Sequence, residues 1–275
     1  MKEWRLLDTG SNSAYFNMAV DEAVMRAHRQ GIVPPTIRFY QWSPPGLSLG
    51  LSQKPDQVVD QQVCQELNVD IVRRLTGGRA IFHDDELTYS LIVSEESGFL
   101  SDSILESYKS ISSGMVAGLC SLGLEVDLKP LNKNKKKSQG FSAACFDAPS
   151  WYEVLANNKK LIGSAQTRRK GVILQHGSIP FTIDADKLYR LLNVSDPKKR
   201  NKLKKLFLAK ATALDWISEK DLSITEVRQA LHRGWEQEFE VKLTKSKLNS
   251  QEKEWVDELL ENKYTTDKWN LRRDV

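Results

Sequence analysis

Residues 151–183 read WYEVLANNKKLIGSAQTRRKGVILQHGSIPFTI. WYEVLA (151–156) and KKLIGSAQTR (159–168) are rich in strand-forming residues and flank Asn157-Asn158, a pair suited to a tight two-residue loop, so they predict a β-hairpin. VILQHGSIPFTI (172–183) predicts a third strand against it. Three strands in succession without an intervening helix argue against a doubly wound fold and for an α+β class, with mixed sheets and flanking helices. The segments upstream agree. Residues 13–28 predict a helix, with Ser13 as N-cap and Phe16, Val20, Ala23, Val24 and Ala27 on one face. TIRFYQW (36–42) and GLSLGL (46–51) predict strands around the turn Ser43-Pro44-Pro45, with Leu47, Leu49 and Leu51 alternating as in a half-buried strand. A helix is expected from Pro55 to about Leu67. VDIVRRL (69–75), RAIFH (79–83) and ELTYSLIV (86–93) predict further strands. Residues 103–122 predict a helix, with Ser103 and Glu106 in a capping-box pattern. The remainder is mostly helical and includes a helix that Asn249 and Glu252 would cap. The expected organisation is a main domain over 1–245 and a small helical appendage over 246–275.

Composition narrows the class. The chain has 275 residues, 40% hydrophobic and 28% charged, which is ample for a packed core and excludes wholesale disorder. No apolar run approaches the ~20 residues that span a bilayer, so no membrane role is expected. The opening MKEWRLLDTGSNS has charge and turn residues where a secretory signal needs an apolar stretch. Cys64, Cys120 and Cys145 make no disulfide framework, and a reducing cytoplasm is the expected setting. No Cys-x-x-Cys and no His pair at ligand spacing suggests a metal site. Phosphate-binding motifs of the G-x-G-x-x-G and G-x-x-x-x-G-K-[ST] types are missing.

Charge is unevenly placed. Residues 129–140 (KPLNKNKKKSQG) hold five lysines and no acid, and 187–210 hold nine basic residues against Asp196. Removing these islands of +5 and +8 from the net +4 leaves −9 on the rest. Basic islands on an acidic body suit an acidic partner, although solvated loops and helix faces fit the same pattern. No aromatic residues interleave with the lysines, which argues against nucleic acid.

Three stretches can carry chemistry. In Arg73-Arg74-Leu75-Thr76-Gly77-Gly78-Arg79 the glycines let backbone approach a ligand, and freed N–H groups beside arginines can hold a carbonyl oxygen or a phosphate. Taken alone, the same residues fit an ordinary Gly-Gly hairpin. Cys64 and Cys120 sit on predicted helices as small core filler, whereas Cys145 in SAACFDAPS lies among small and polar residues after the basic loop. The hairpin can return Lys160 toward that loop, where an ammonium would stabilise a thiolate. His83 and His176 are further titratable candidates, either as bases or as satisfied polar groups at strand ends.

Together, RRLTGGRAIFHDDELTYS (73–90), CFDAPSWYE (145–153) and KLIGSAQTRRKGVILQHGSI (160–179) resemble the biotin/lipoate ligase and transferase superfamily, and within it the cysteine-dependent octanoyltransferases of lipoate assembly. FNMAVDEAV (16–24), IRFYQWSPPGLSLG (37–50) and KYTTDKWN (263–270) match too, so the resemblance spans nearly the whole chain. It implies a biotinyl/lipoyl-transferase-type fold and octanoyl transfer from octanoyl-acyl carrier protein to a lysine of a lipoyl-domain protein, the glycine-cleavage H protein above all. It implies Cys145 as the acyl-thioester nucleophile and Lys160 as the lysine that lowers the thiol's pKa and meets the oxyanion. Arg73, Arg74, Thr76, Gly77, Gly78, Arg79, His83, Gly163, Ser164 and His176 are the implied substrate-binding positions. The resemblance implies proline at position 75, where this chain carries Leu75. An apolar slot near Leu75, Ile81 and Phe82 would take the acyl chain. No cofactor is implied, and a monomer is expected. The alternatives are an ATP-dependent lipoate–protein ligase, which would use ATP and Mg, an amidotransferase between lipoyl domains, and a non-catalytic module that presents basic islands to an acidic partner.

Overall fold

In the computed structural model, which describes residues 2–130 and 152–272, the hairpins of 151–183 lie inside a large sheet. In chain order the elements are β1 (Lys2–Asn12), α1 (Ala14–Arg29), β2 (Thr36–Trp42), β3 (Gly46–Leu49), α2 (Pro55–Val58), α3 (Gln61–Glu66), β4 (Asp70–Arg73), β5 (Ile81–His83), β6 (Glu86–Ser94) and α4 (Ile104–Cys120). They continue with β7 (Asp127–Pro130), β8 (Tyr152–Ala156), β9 (Lys159–Arg169), β10 (Val172–Pro180), α5 (Ala185–Leu191), α6 (Pro197–Leu208), α7 (Ile224–Phe239), β11 (Val241–Ser246) and α8 (Ser250–Leu259). Two π-helical turns, Leu260–Tyr264 and Lys268–Arg272, follow.

The large sheet runs β11-β1-β2-β6-β10-β9-β8-β7, and a small one runs β4-β3-β5. β1 pairs in parallel with both β11 and β2, and the pairings from β2 to β7 are antiparallel. The fold is therefore α+β with mixed sheets, as the sequence predicts. Local turn chemistry explains the central meander. Asn157 and Asn158 both take left-handed φ, at 51° and 58°, as a two-residue loop between right-twisted strands requires. Ser13 and Ser103 cap α1 and α4 as expected, and Asn249 and Glu252 form a complete capping box on α8.

The faces of the sheet divide by parity. Leu87, Tyr89, Leu91 and Val93 of β6, with Ile173 and Ile179 of β10, join Ile111, Met115 and Trp235 in one core, under α4 and α7. Ile92, Val172 and Leu174 turn the other way and join Val20, Ala23 and Val24 of α1. The candidate residues His176 and Asp21 sit on this α1 side. The small sheet packs with α3, α5 and α6 in a third cluster around Leu47, Leu49, Tyr189 and Phe207.

Several expectations change in detail. The helix expected from Pro55 to Leu67 is two short pieces, because Val59 is extended, bridges to Leu192, and leaves Asp60 to cap the second piece. All of Gly46–Leu49 is buried, because the alternate residue Ser48 faces a polar site rather than solvent. The strand expected over 172–183 stops at Pro180, where Phe181 turns to donate to the Asp85 carbonyl. Cys64 is buried, and burial pushes its thiol up to about 11, but Cys120 at the end of α4 is exposed rather than core filler. Among the described residues no helix is long and apolar enough to cross a membrane.

The described part of the expected appendage, residues 246–272, packs on α1. Val256, Leu259, Tyr264 and Trp269 enter the α1-side core. Arg5 of β1 makes a buried bidentate pair with Glu252, at 2.8 and 2.6 Å. Removing one partner of such a pair leaves a buried charge without compensation, which costs about 3–5 kcal/mol. Glu252→Ala is expected to lower unfolding free energy by that amount in a urea titration, and Glu252→Gln, which keeps hydrogen-bonding capacity, by less.

Candidate active site

The Thr76-Gly77-Gly78 turn joins β4 to β5 and is built around Arg74. This side chain is 2% exposed, and each of its five N–H donors has a partner. Nε donates to Thr76 Oγ1 (3.0 Å), one terminal nitrogen to the Ser48 carbonyl (2.9 Å) and hydroxyl (3.1 Å), and the other to the Gly77 and Arg79 carbonyls (both 2.8 Å). Beneath the turn lies Gly50, where a Cβ would stand 2.1 Å from the Gly78 oxygen, so no larger residue fits. Gly78 itself has φ +97°. With these carbonyls drawn inward, the Gly77 and Gly78 N–H groups make no hydrogen bond to the protein among the described residues, and both glycines are exposed.

Arg73 points the opposite way. It donates to the carbonyls of Gly50, Leu51 and Gln53 and to those of Trp269 and Asn270, all at 2.8–3.2 Å. Asn270 Oδ1 also accepts the Arg73 N–H, and the Trp269 indole donates to the Arg73 carbonyl. The KYTTDKWN segment thus clasps the strand that leads into the turn. Arg73 and Arg74 shape the loop with their charges turned onto protein carbonyls, whereas Arg79 is partly exposed.

Two histidine chains spread from Arg74. In the first, Thr76 Oγ1 lies 2.7 Å from His176 Nε2, and His176 Nδ1 lies 3.2 Å from Asp21 Oδ2. Asp21 also accepts from Arg38 (2.7 Å), Ser90 (2.8 Å) and the Tyr40 hydroxyl (3.3 Å). In the second, Ser48 Oγ lies 2.8 Å from His83 Nε2, and His83 Nδ1 lies 2.8 Å from Glu86 Oε1. Glu86 further accepts from Ser178 (2.5 Å) and from Thr88, to which the Trp42 indole donates. The His83 ring stacks flat on Trp42 at 3.9 Å.

Burial opposes charge on all these groups, and their neighbours decide the outcome. Burial raises the Asp21 pKa, but Arg38, His176 and Ser90 outweigh it and hold the carboxyl below its ordinary range. Glu86 is likewise held below the ordinary range by His83, Ser178 and Thr88 against its burial. Burial depresses the His176 pKa despite Asp21. His176 is therefore neutral, with Nδ1–H donating to Asp21 and Nε2 accepting from the Thr76 hydroxyl. That hydroxyl is in turn oriented by Arg74.

The two imidazoles line a narrow cleft with Met18, Tyr40, Trp42 and Ala165. It shares Ile81 and Ser178 with an outer cavity that Phe82, Ile183, Leu188 and Phe207 also line. Of the apolar residues expected near the acyl chain, Ile81 and Phe82 reach these spaces, and Leu75 packs instead in the α1-side core. Pairing of β9 with β10 sets Gly163 beside Ser178 and Ala165 beside His176, on the cleft face. Ser164 falls on the other face, bonded to the Tyr89 hydroxyl at 2.8 Å, and does not meet the cleft. Lys160, three residues before Gly163, has a buried side chain with Nζ 3.3 Å from Glu153, and its backbone bridges Lys210 and Thr212. Cys145 and residues 131–140 of the basic loop lie outside the described residues.

Asp21, Ser48 and Glu86 were not singled out from the sequence. Asn17 and Asp21, four apart beside the apolar stripe of α1, were the available signal, since both are buried. A neutral buried His176 has a measurable consequence. Below its ordinary 6.5 the unfolded chain takes up a proton that the folded chain refuses, so stability is lost as pH falls from there. His176→Gln removes this component. The stability gap between wild type and His176→Gln is expected to narrow from pH 7.5 to pH 5.5 in urea titrations, and a constant gap contradicts the neutral assignment.

Comparison with known proteins identifies the family. Residues 13–236 match the lipoyl protein ligase A/B catalytic domain family. The octanoyltransferase LipM of Anoxybacillus flavithermus is 42% identical over 98% of both chains, and that of Bacillus subtilis 41% over 98% of both. Among solved structures, a bipartite lipoate protein ligase from Thermoplasma acidophilum superposes with a TM-score of 0.82 at 28% identity, covering 98% of this chain and 96% of that one. A lipoate-protein ligase A bound with ATP gives 0.78 at 27%, covering 98% of each. The chain belongs to the lipoyl protein ligase A/B catalytic domain family and is an acyltransferase of its octanoyltransferase branch.

Proposed function

We propose that the chain acts as a cytoplasmic monomer that transfers octanoyl from octanoyl-acyl carrier protein to a lysine of a lipoyl-domain acceptor, in particular the glycine-cleavage H protein, through a thioester on Cys145. The observation that carries this reading is full-length similarity to octanoyltransferases, joined to the buried ammonium of Lys160 on β9, the far arm of the hairpin that follows Cys145 in sequence. The Cys145 thiolate attacks the donor's thioester carbonyl. The carbon–sulfur bond to the donor breaks, and the donor leaves as a thiol after taking a proton. One thioester replaces another, so the acyl group stays activated without ATP. The acceptor's neutral lysine then attacks the Cys145 thioester, its nitrogen–carbon bond forms, the bond to Cys145 sulfur breaks, and the amine proton passes to the leaving sulfur.

Each residue has a task in this scheme. Lys160 holds the thiolate anionic. The exposed N–H groups of Gly77 and Gly78 are free to receive the oxyanion that forms in both steps. Their aim is fixed by Arg74, and Thr76 is locked by the neutral His176, which orients rather than moves protons. The cleft beside His83 and Trp42 takes the apolar chain. The turn offers backbone N–H groups to a carbonyl, with the partly exposed Arg79 beside them.

Intact mass after mixing with octanoyl-acyl carrier protein alone is expected to show a hydroxylamine-labile octanoyl adduct on the wild type and none on Cys145→Ser. Turnover that needs ATP, Mg and free octanoate would assign the chain to the ligases instead. Lys160→Ala is expected to move the pH at which Cys145 alkylates upward, toward the ordinary thiol value of about 8.5. It should also slow adduct formation by roughly 10²–10³. An unmoved alkylation profile would contradict the role given to Lys160.

A further inference from the structure

We propose that the outer face of α6 is the docking surface for the acyl donor, an acidic carrier protein whose acyl group rides on a long flexible thiol arm. The inference rests on the reading in which octanoyl arrives as a carrier-bound thioester. α6 carries Lys198, Lys202 and Lys205 at i, i+4 and i+7, one exposed stripe, with Lys199 beside it. Among the described residues none of these four makes an ion pair, whereas Lys204, on another face of the helix, is paired with Asp186 at 2.5 Å. The stripe borders a shallow groove with Asn201 and Leu206, and Leu206 is 45% exposed. Cations with an apolar residue among them form the surface that an acidic protein face complements.

Helix stability does not account for this arrangement. The first turn of α6 has lysines and no acid, so the N-cap Asp196 alone complements the helix dipole there. Like charges four apart repel as well. What α6 gains is position. Its buried face presents Phe207 to the outer cavity, and that cavity shares Ile81 and Ser178 with the histidine cleft. Its C-terminal end leads to Lys210, whose carbonyl accepts the Lys160 N–H at 2.6 Å. The helix therefore has a basic outside and an inside that borders the route to the cleft.

This offset selects the donor over the acceptor. A lysine side chain is short, so the acceptor must sit over the cleft itself. An acyl group on a long arm can be delivered from a surface one helix away, with the arm's phosphate left at the lysines and its uncharged part passing over Phe207. Asp84, Asp85 and Asp184 line that cavity, and Lys187 pairs with Asp84 at 3.0 Å, so Asp85 and Asp184 keep the lining acidic and disfavour an acidic protein placed directly upon it.

The test compares wild type with the combined variant Lys198→Glu, Lys202→Glu, Lys205→Glu, using two donors, octanoyl carrier protein and octanoyl-pantetheine. The variant is expected to raise KM for the carrier donor about tenfold at low salt and to flatten its salt dependence. Turnover of octanoyl-pantetheine and KM for the acceptor should stay as in wild type, which also reports an intact fold. A milder Lys→Gln version of the same triple should give an intermediate KM. An unchanged carrier KM, a rise in acceptor KM instead, or equal losses with both donors would overturn the docking assignment. A wild type that uses neither thioester and turns over only with ATP and octanoate would overturn the thioester reading itself.

Discussion

The buried guanidinium of Arg74 is the constraint around which the site is organised. A planar fork with five donors can satisfy several carbonyls at once, and here it draws in those of Ser48, Gly77 and Arg79 while orienting the hydroxyls of Ser48 and Thr76. Each hydroxyl reaches a histidine, and each histidine a buried carboxylate. No member can rotate without leaving another unsatisfied in a low-dielectric interior, where that costs about 1–3 kcal/mol per group. The turn's carbonyls are fixed, and its N–H groups are fixed with them.

Arg73 secures the same turn from behind, and it does so with the end of the chain. Its partners Trp269 and Asn270 are nearly two hundred positions away in sequence, yet they accept from its side chain and backbone. The Arg5–Glu252 pair holds α8 to the first strand, so the KYTTDKWN segment is delivered to the site by a buried ionic contact. In physical terms the C-terminal stretch is a clamp on β4.

What could be read from the sequence followed the range of the interactions that decide it. The 151–183 meander was legible because Asn157-Asn158 is local turn chemistry, and the helix starts because Ser13, Ser103 and Asn249 act within three residues. The cleft's glycine turn and both histidines were legible as residue types. Their partners were not, since Asp21 meets His176 across 155 positions and Arg5 meets Glu252 across 247. Ser164 shows the sharpest limit. Strand side chains alternate faces, so its neighbours Gly163 and Ala165 share the cleft while it bonds to Tyr89 on the far side. Only the register decides this, and the register depends on β10.

The same alternation explains how a polar site can sit beneath a packed helix. On β6 and β10 one parity is committed to the α4 and α7 core, which leaves the other free to mix apolar and polar groups under α1. Toward one end this second parity is aliphatic, with Ile92, Val172 and Leu174. Toward the other it becomes Glu86, Thr88, Ser90, His176 and Ser178. A helix laid over such a graded surface must change character along its length, and α1 does. Val20, Ala23 and Val24 cover the aliphatic part, while Asn17 and Asp21 answer Arg38, Ser90 and His176. Folding and site assembly are then one event, because α1 docks in the single register that pairs both halves.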